Sequence, residues 1–258
     1  MLHDRLPGTG RHQPRCERRP RGLNRRFSPA DACLPQLRTD GPAVEDRKIV
    51  SPRRPLSEAV LERWVAEREP HRLDRDFFNR STLRVARDLL GKFIVRSYQG
   101  RRISAMIAEV EAYKGPRDRA CHAYKGRRTA RVEPLYREGG AVYVYLVYGI
   151  HWLLNFSTAG AGRPEGILIR AILADPDSEK KLFVGPGKVT QYLTIDKRCN
   201  GQDATCSKQI WLEDRGVRIP ASSIRKGPRV GVDFAGPYWA ARAWRFWIDV
   251  EPKPRGLP

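Results

Sequence analysis

The chain has 258 residues, with 49 Lys and Arg against 29 Asp and Glu, a formal net charge of +20 and 40% hydrophobic residues. The length is ample for a core, the apolar fraction excludes wholesale disorder, and no run of about 18 apolar residues exists to span a membrane. A surplus of this sign calls for an anionic partner such as nucleic acid or anionic lipid, or serves only solubility; it specifies no chemistry.

No charged start followed by an apolar stretch and a small-residue cleavage site is present, so no secretory signal is expected. Cys16, Cys33, Cys121, Cys199 and Cys206 are odd in number, and no pair has CxxC spacing. Neither a disulfide framework nor a four-cysteine metal site is indicated, and a reducing compartment is the simpler expectation.

Residues 1–57 carry 13 Lys and Arg against 6 Asp and Glu, many of the prolines and no sustained apolar period. Such a segment cannot bury enough surface to offset its ordering entropy. The composition predicts a disordered basic tail over 1–57 and a folded domain over 58–258, which is itself basic. The tail could be an auxiliary arm, an organellar presequence or upstream sequence outside the true start.

Leu56–Glu67 has helical apolar spacing. Asp76–Leu90 reads as a second helix, with Gly91 as its stop. Lys92–Tyr98 and Arg102–Tyr113 read as strands around a Gln99-Gly100 turn. Val142–Val147 and Trp152–Ser157 form a hairpin around Tyr148-Gly149-Ile150. Gly166–Ala174 is a strand, and Pro186–Leu193 a helix after a Gly-Pro-Gly turn. Gln209–Glu213, Arg229–Val232 and Ala243–Val250 complete the strands. Many short strands among few helices predict an α+β single domain with a mostly antiparallel sheet.

Along Arg102–Tyr113, parity puts Glu109, Glu111 and Tyr113 on one face. A carboxylate on an otherwise apolar strand is costly unless paired or used, although a strand end emerging into solvent carries Glu at no cost. The turn-rich loop Lys114–His122 could return His122 toward that face. Glu, Asp, Cys and His there match no common metal-ligand spacing, and no metal is expected. A lone histidine is often only hydrogen-bonded structure. Tyr143 and Tyr145 share one face of their strand, where aromatic residues usually pack in a core. Tyr148 sits at the hairpin tip, where a side chain can wedge between bases. Asn155 on the return strand could be a buried amide satisfied by the backbone.

Glu111-Ala112-Tyr113, His122, the Tyr143–Gly149 hairpin and Asn155 together resemble the alkyladenine (3-methylpurine) DNA glycosylases. Phe77–Arg80 with Ala86–Lys92, Gly185–Gln191, Arg229–Val232 and Trp244–Phe246 resemble further family segments, in the expected order over about residues 72–250. The resemblance implies a curved sheet with surrounding helices. It implies an intracellular, DNA-associated, monofunctional glycosylase that hydrolyses the N-glycosidic bond of damaged purines and leaves an abasic site. Glu111 matches the general base, ionised at neutral pH, and Arg170 the arginine that holds base and water. Tyr113, His122 and Tyr145 match the pocket residues, and Tyr148 the tyrosine that fills the space left by the flipped base. Asn155 matches the residue that disfavours normal guanine. Gly187 and Lys188 open a helix where phosphate would bind. The implied partner is duplex DNA with damaged purines, met by a monomer with no cofactor and no membrane. The chain departs from the family's Pro-Arg-Asn at Ala130-Arg131-Val132, which bears on substrate range or affinity. A catalytically silent binder of distorted nucleic acid is the alternative, and it has no need for Glu111.

Overall fold

The computed structural model describes residues 69–174 and 181–250. The expected tail, the helix Leu56–Glu67 and the domain start at 58 lie outside the described residues. In chain order come β1 (His71–Arg72), α1 (Arg75–Phe78), α2 (Thr82–Asp88), β2 (Phe93–Tyr98) and β3 (Arg101–Tyr113). Next are β4 (Val142–Val147), β5 (His151–Thr158), β6 (Glu165–Ala174), β7 (Leu182–Val184) and α3 (Pro186–Tyr192). Last are β8 (Ile210–Asp214), β9 (Ile224–Gly227), α4 (Pro237–Ala240) and β10 (Arg245–Ile248). No helix of the described residues is long and apolar enough to cross a membrane.

The strands form one curled antiparallel sheet in the order β1-β8-β2-β3-β6-β5-β4, with β10 on β3, β9 on β10 and β7 on β6. The expected α+β class with a curved antiparallel sheet is the one observed. The β2–β3 connection is the expected two-residue turn. Gln99 and Gly100 both take positive φ, 49° and 74°, which matches the twist of the flanking strands.

β3 and β6 change partners along their length. β3 pairs with β2 through Arg101–Met106, then with β10 through Glu109–Glu111. β6 pairs with β5 through Glu165–Leu168, then with β7 through Ala171–Leu173. At that changeover the β3–β6 register steps past Ala108 on one strand and Arg170 on the other. Two such irregularities back to back bend the sheet and re-aim the side chains beside them.

Two expected elements are different. Asp76–Leu90 is not one helix but two short ones, α1 and α2, separated at Asn79, Arg80 and Ser81. Polar groups at the break make tertiary bonds: Asn79 Oδ1 accepts from the Gly139 amide, and the Phe78 carbonyl from the Ala159 amide. Asp74 caps α1 by accepting from the Phe77 amide at 2.9 Å. Arg229–Val232 is not a strand; the strand lies earlier, at β9, and residues 229–232 form a turn with Gly231 at φ 72°. The arginine at its start is buried in an ion pair, and the Val230 amide donates to a side chain instead of a ladder.

The core is continuous between the sheet and the helices α2 and α3. Val85 and Ala86 from the first with Leu89 just after it, and Val189 from the second, pack with Met106, Ile107, Leu154, Phe156 and Ile169. Gly139 lets the chain pass close over the helix break, because a Cβ there would stand 2.8 Å from the Phe78 carbonyl carbon. Gly139→Ala should destabilise the fold by about 1–3 kcal/mol, the usual range for forced overpacking. Urea unfolding measures it, and an unchanged midpoint would contradict this packing.

Candidate functional site

The changeover on β3 and β6 puts charge at the floor of a cavity. Glu111 is 0% exposed. Its Oε1 accepts from the Val230 amide at 2.7 Å and lies 3.3 Å from Arg170 Nε. Its Oε2 accepts from the Tyr113 hydroxyl at 2.9 Å. Arg170 Nε also donates to Glu109 Oε1 at 3.0 Å, and Arg245 approaches the same oxygen from β10 at 3.3 Å. Two carboxylates and two guanidinium groups therefore alternate in space, so neither acid is buried uncompensated.

Burial pushes the Glu111 carboxyl above its ordinary value of 4.5. Arg170, the Val230 amide and the Tyr113 hydroxyl oppose that rise, and Glu109 adds to it. Oε2 takes its one described bond from Tyr113 and keeps a further lone pair. The Tyr113 hydroxyl is held well above its usual range, by burial first and then by the Glu111 charge, so it stays a donor.

Above this floor is a cavity of about 540 Å³. That is within the roughly 300–1,000 Å³ usual for small-molecule sites. Its walls are aromatic. His122 meets Tyr145 edge to face at 4.5 Å between ring centres, and Tyr143 lies 5.2 Å from Tyr145. His122 Nδ1 and the Tyr143 hydroxyl are 2.8 Å apart. Burial first, then Arg131 and Arg127, lowers the His122 imidazole to about 4. A neutral ring at neutral pH follows, and it presents no positive charge to a cationic guest. Burial also raises the Tyr143 hydroxyl to about 12.

Every site residue expected from the sequence except Glu111 lines this cavity. Tyr113, His122, Tyr145, Tyr148, Asn155, Arg170, Gly187 and Lys188 line it, and the buried Glu111 contacts two of these residues, Tyr113 and Arg170. Tyr148 is 91% exposed at the hairpin tip, with φ 52° beside Gly149 at φ 72°. Asn155 is buried, and its amide nitrogen donates to the carbonyls of Tyr143 and Leu153. Asn155 is thus a buried amide whose nitrogen is bonded to the backbone, and it lies in the cavity wall. Gly187 packs on the hairpin: a Cβ there would stand 3.0 Å from His151 Nδ1.

Sequence reasoning missed several groups. The partnership of Tyr143 with His122 needed the loop–hairpin contact. Arg131, in the stretch that departs from the family pattern, lies over the Tyr145 ring at 5.5 Å and donates to the Leu146 carbonyl. Asp118 and Arg229 pair wholly buried, far apart in sequence. Their signal was weak: Asp118 sits between two arginines, and Arg229 begins an apolar run that reads as a strand.

A model of the methylpurine-DNA glycosylase family matches residues 76–252. A protein of Natranaerobius thermophilus is 40% identical over 196 residues, which cover 70% of this chain and 97% of that one. A protein of Methanocella arvoryzae is 42% identical over 192 residues, covering 70% and 94%. One of Chlamydia felis is 37% identical over 188 residues, covering 68% and 94%. All three are provisionally named 3-methyladenine DNA glycosylases.

His122 provides a direct check on the cavity's electrostatics. Its imidazole should titrate near 4 in an NMR titration; a midpoint at the ordinary 6.5 would contradict the enclosed, arginine-flanked setting.

Proposed function

We propose a mechanism for this chain from the premise that it belongs to the methylpurine-DNA glycosylase family and is a DNA-repair hydrolase: it flips a damaged purine from duplex DNA and releases it with a water activated by Glu111. The observation that carries this reading is a fully buried carboxylate beneath an aromatic cavity with an exposed tyrosine at its mouth. A silent binder would gain nothing from the carboxylate, which is costly to bury.

A base inside a duplex is out of reach, and extruding it costs a few kcal/mol. Tyr148 offsets part of that cost by filling the vacated stack. The extruded base enters between Tyr113, Tyr145 and the neutral His122. Ring faces are negative, so electron-poor alkylated purines are held better than normal ones. Asn155 in the wall disfavours the guanine 2-amino group. Gly187 and Lys188 at the mouth meet backbone phosphate, and the basic surface adds sequence-independent attraction.

In the chemical step the free lone pair of Glu111 Oε2 takes a proton from water. The water oxygen bonds to the anomeric carbon. The glycosidic C–N bond breaks, and its electron pair leaves with the base. The sugar passes through an oxocarbenium-like state, which Glu111 and Glu109 stabilise by charge. A cationic N3- or N7-alkylated purine leaves as a neutral base, so its glycosidic bond breaks readily, and for 7-methylguanine this lability offsets the obstruction of the 2-amino group by Asn155. The one lysine among the described residues lining the cavity, Lys188, is exposed at the mouth and is not used as a nucleophile. The product is an abasic site with an uncut backbone, made by a monomer acting on DNA inside the cell.

Glu111→Gln should slow single-turnover release from a 7-methylguanine duplex by at least about 100-fold, the lower range for general-base catalysis, with duplex binding preserved. In the native protein the rate should fall with acid through a midpoint above 4.5, because burial raises the carboxyl and only its ionised form accepts the proton. Release by the glutamine variant at the native rate would sink the reading. Tyr148→Ala should weaken damage-specific binding by about 1–3 kcal/mol, the worth of one aromatic–base stack, and non-specific binding far less. A competition titration that finds equal losses would remove the wedge.

A further inference from the structure

We propose that Arg229 and Asp118 are positioning residues that set the geometry and ionisation of Glu111. The proposal rests on the reading of Glu111 as the base, and it concerns residues that touch neither water nor substrate.

Both side chains are 0% exposed. The pairing is bidentate: Arg229 Nη1 donates to Asp118 Oδ2 at 2.5 Å, and Nη2 to Oδ1 at 2.9 Å. Nη1 also donates to the Ala112 carbonyl at 3.1 Å, between Glu111 and Tyr113 on β3. The guanidinium lies between two rings, 4.7 Å from Tyr113 and 5.0 Å from Trp244. Asp118 in turn accepts from the amides of Lys114 and Ala120, both at 3.0 Å, at the two ends of the loop that leads to His122.

One ion pair thus ties three segments, the first two consecutive in the chain and the third more than 100 residues further on. They are the end of β3 with Glu111 and Tyr113, the loop before His122, and the turn that carries Val230. The residue after Arg229 supplies the amide bonded to Glu111 Oε1. Fixing the arginine side chain fixes where that amide points.

Stability alone is a poor account of the pair. Arg229 Nε is buried with no hydrogen-bond acceptor among the described residues. Replacing a buried ion pair by apolar groups is often neutral or stabilising. The geometry serves the site better than it serves the fold.

The electrostatic consequence has a defined sign. Glu111 faces Arg170 from β6, Glu109 and Tyr113 from β3, Tyr145 from β4, the Val230 amide from the turn, and Arg245 through Glu109 from β10, while Arg229 faces Tyr113. The Val230 amide favours the carboxylate. Loosening it moves the Glu111 carboxyl upward, so less base is ionised at a given pH.

The test is single-turnover release from a 7-methylguanine duplex at saturating protein, followed across the acid range. Arg229→Lys keeps a cation but loses the fork, and Asp118→Asn keeps the shape but loses the charge. Each should slow release at neutral pH by about tenfold, the value of one hydrogen bond to a charged group. Each should also move the acid limb to higher pH and leave duplex binding unchanged. The double variant should be no slower than the worse single variant, because both act on one amide. Thermal unfolding shows which variants are folded at the assay temperature. Where Asp118→Asn is not, Arg229→Lys carries the test. A native rate with an unmoved acid limb in folded Arg229→Lys overturns the proposal while the Glu111 reading stands. Native release by Glu111→Gln overturns both.

Discussion

The burial of the Glu111 carboxylate constrains everything around it. Taking such a charge out of water costs several kcal/mol, and only well-placed partners restore it. Here the partners come from near and far along the chain: Tyr113 two residues on, Arg170 from the neighbouring strand and the Val230 amide from a turn. None of them can be displaced without exposing the carboxylate to a worse environment. The changes of strand partner at the β3–β6 changeover and the turn at residues 229–232 are the two backbone features that allow the meeting.

The charges around that carboxylate form a graded set. Glu109 shares Arg170 with Glu111 and takes a second cation from Arg245. Asp118 takes Arg229 to itself. A basic protein therefore has a locally balanced floor beneath its cavity, and its surplus is carried elsewhere. Phosphate attraction depends on summed charge over the surface, whereas proton transfer depends on one group's immediate neighbours. The two demands are separated in space, so each can be met without spoiling the other.

The walls follow a different principle. His122, Tyr143 and Tyr145 hold one another by ring contacts and a short oxygen–nitrogen approach, and the cluster is backed by Leu135 and Val132. Such walls suit a flat guest through polarisability and fit, since buried hydroxyls and a neutral imidazole carry no net charge. Arg131 over Tyr145 brings the stretch that departs from the family pattern to this wall. The wall and the carboxylate floor meet at Tyr113, whose hydroxyl serves one and whose ring serves the other.

The sequence by itself determined the class of the fold and the residue types of the site. Alternation placed β2, β3 and the β4–β5 hairpin within a residue or so, and the Gln99-Gly100 turn was legible because φ > 0 at two positions is chemically restricted. Glu111 and Tyr148 stand out locally, as a carboxylate on an apolar strand and a tyrosine at a hairpin tip, whereas the role expected of Tyr113 came only from the family resemblance. Only the tertiary structure decided the rest. The break at Asn79–Ser81 and the turn at Arg229–Val232 are governed by partners 60 to 119 residues away, which no local period encodes. The register step that sets Arg170 beside two acids depends on which strand lies across the sheet. Local pattern reports what each residue can bury, but the pairing of charges depends on which residues the curled sheet brings within a few ångströms.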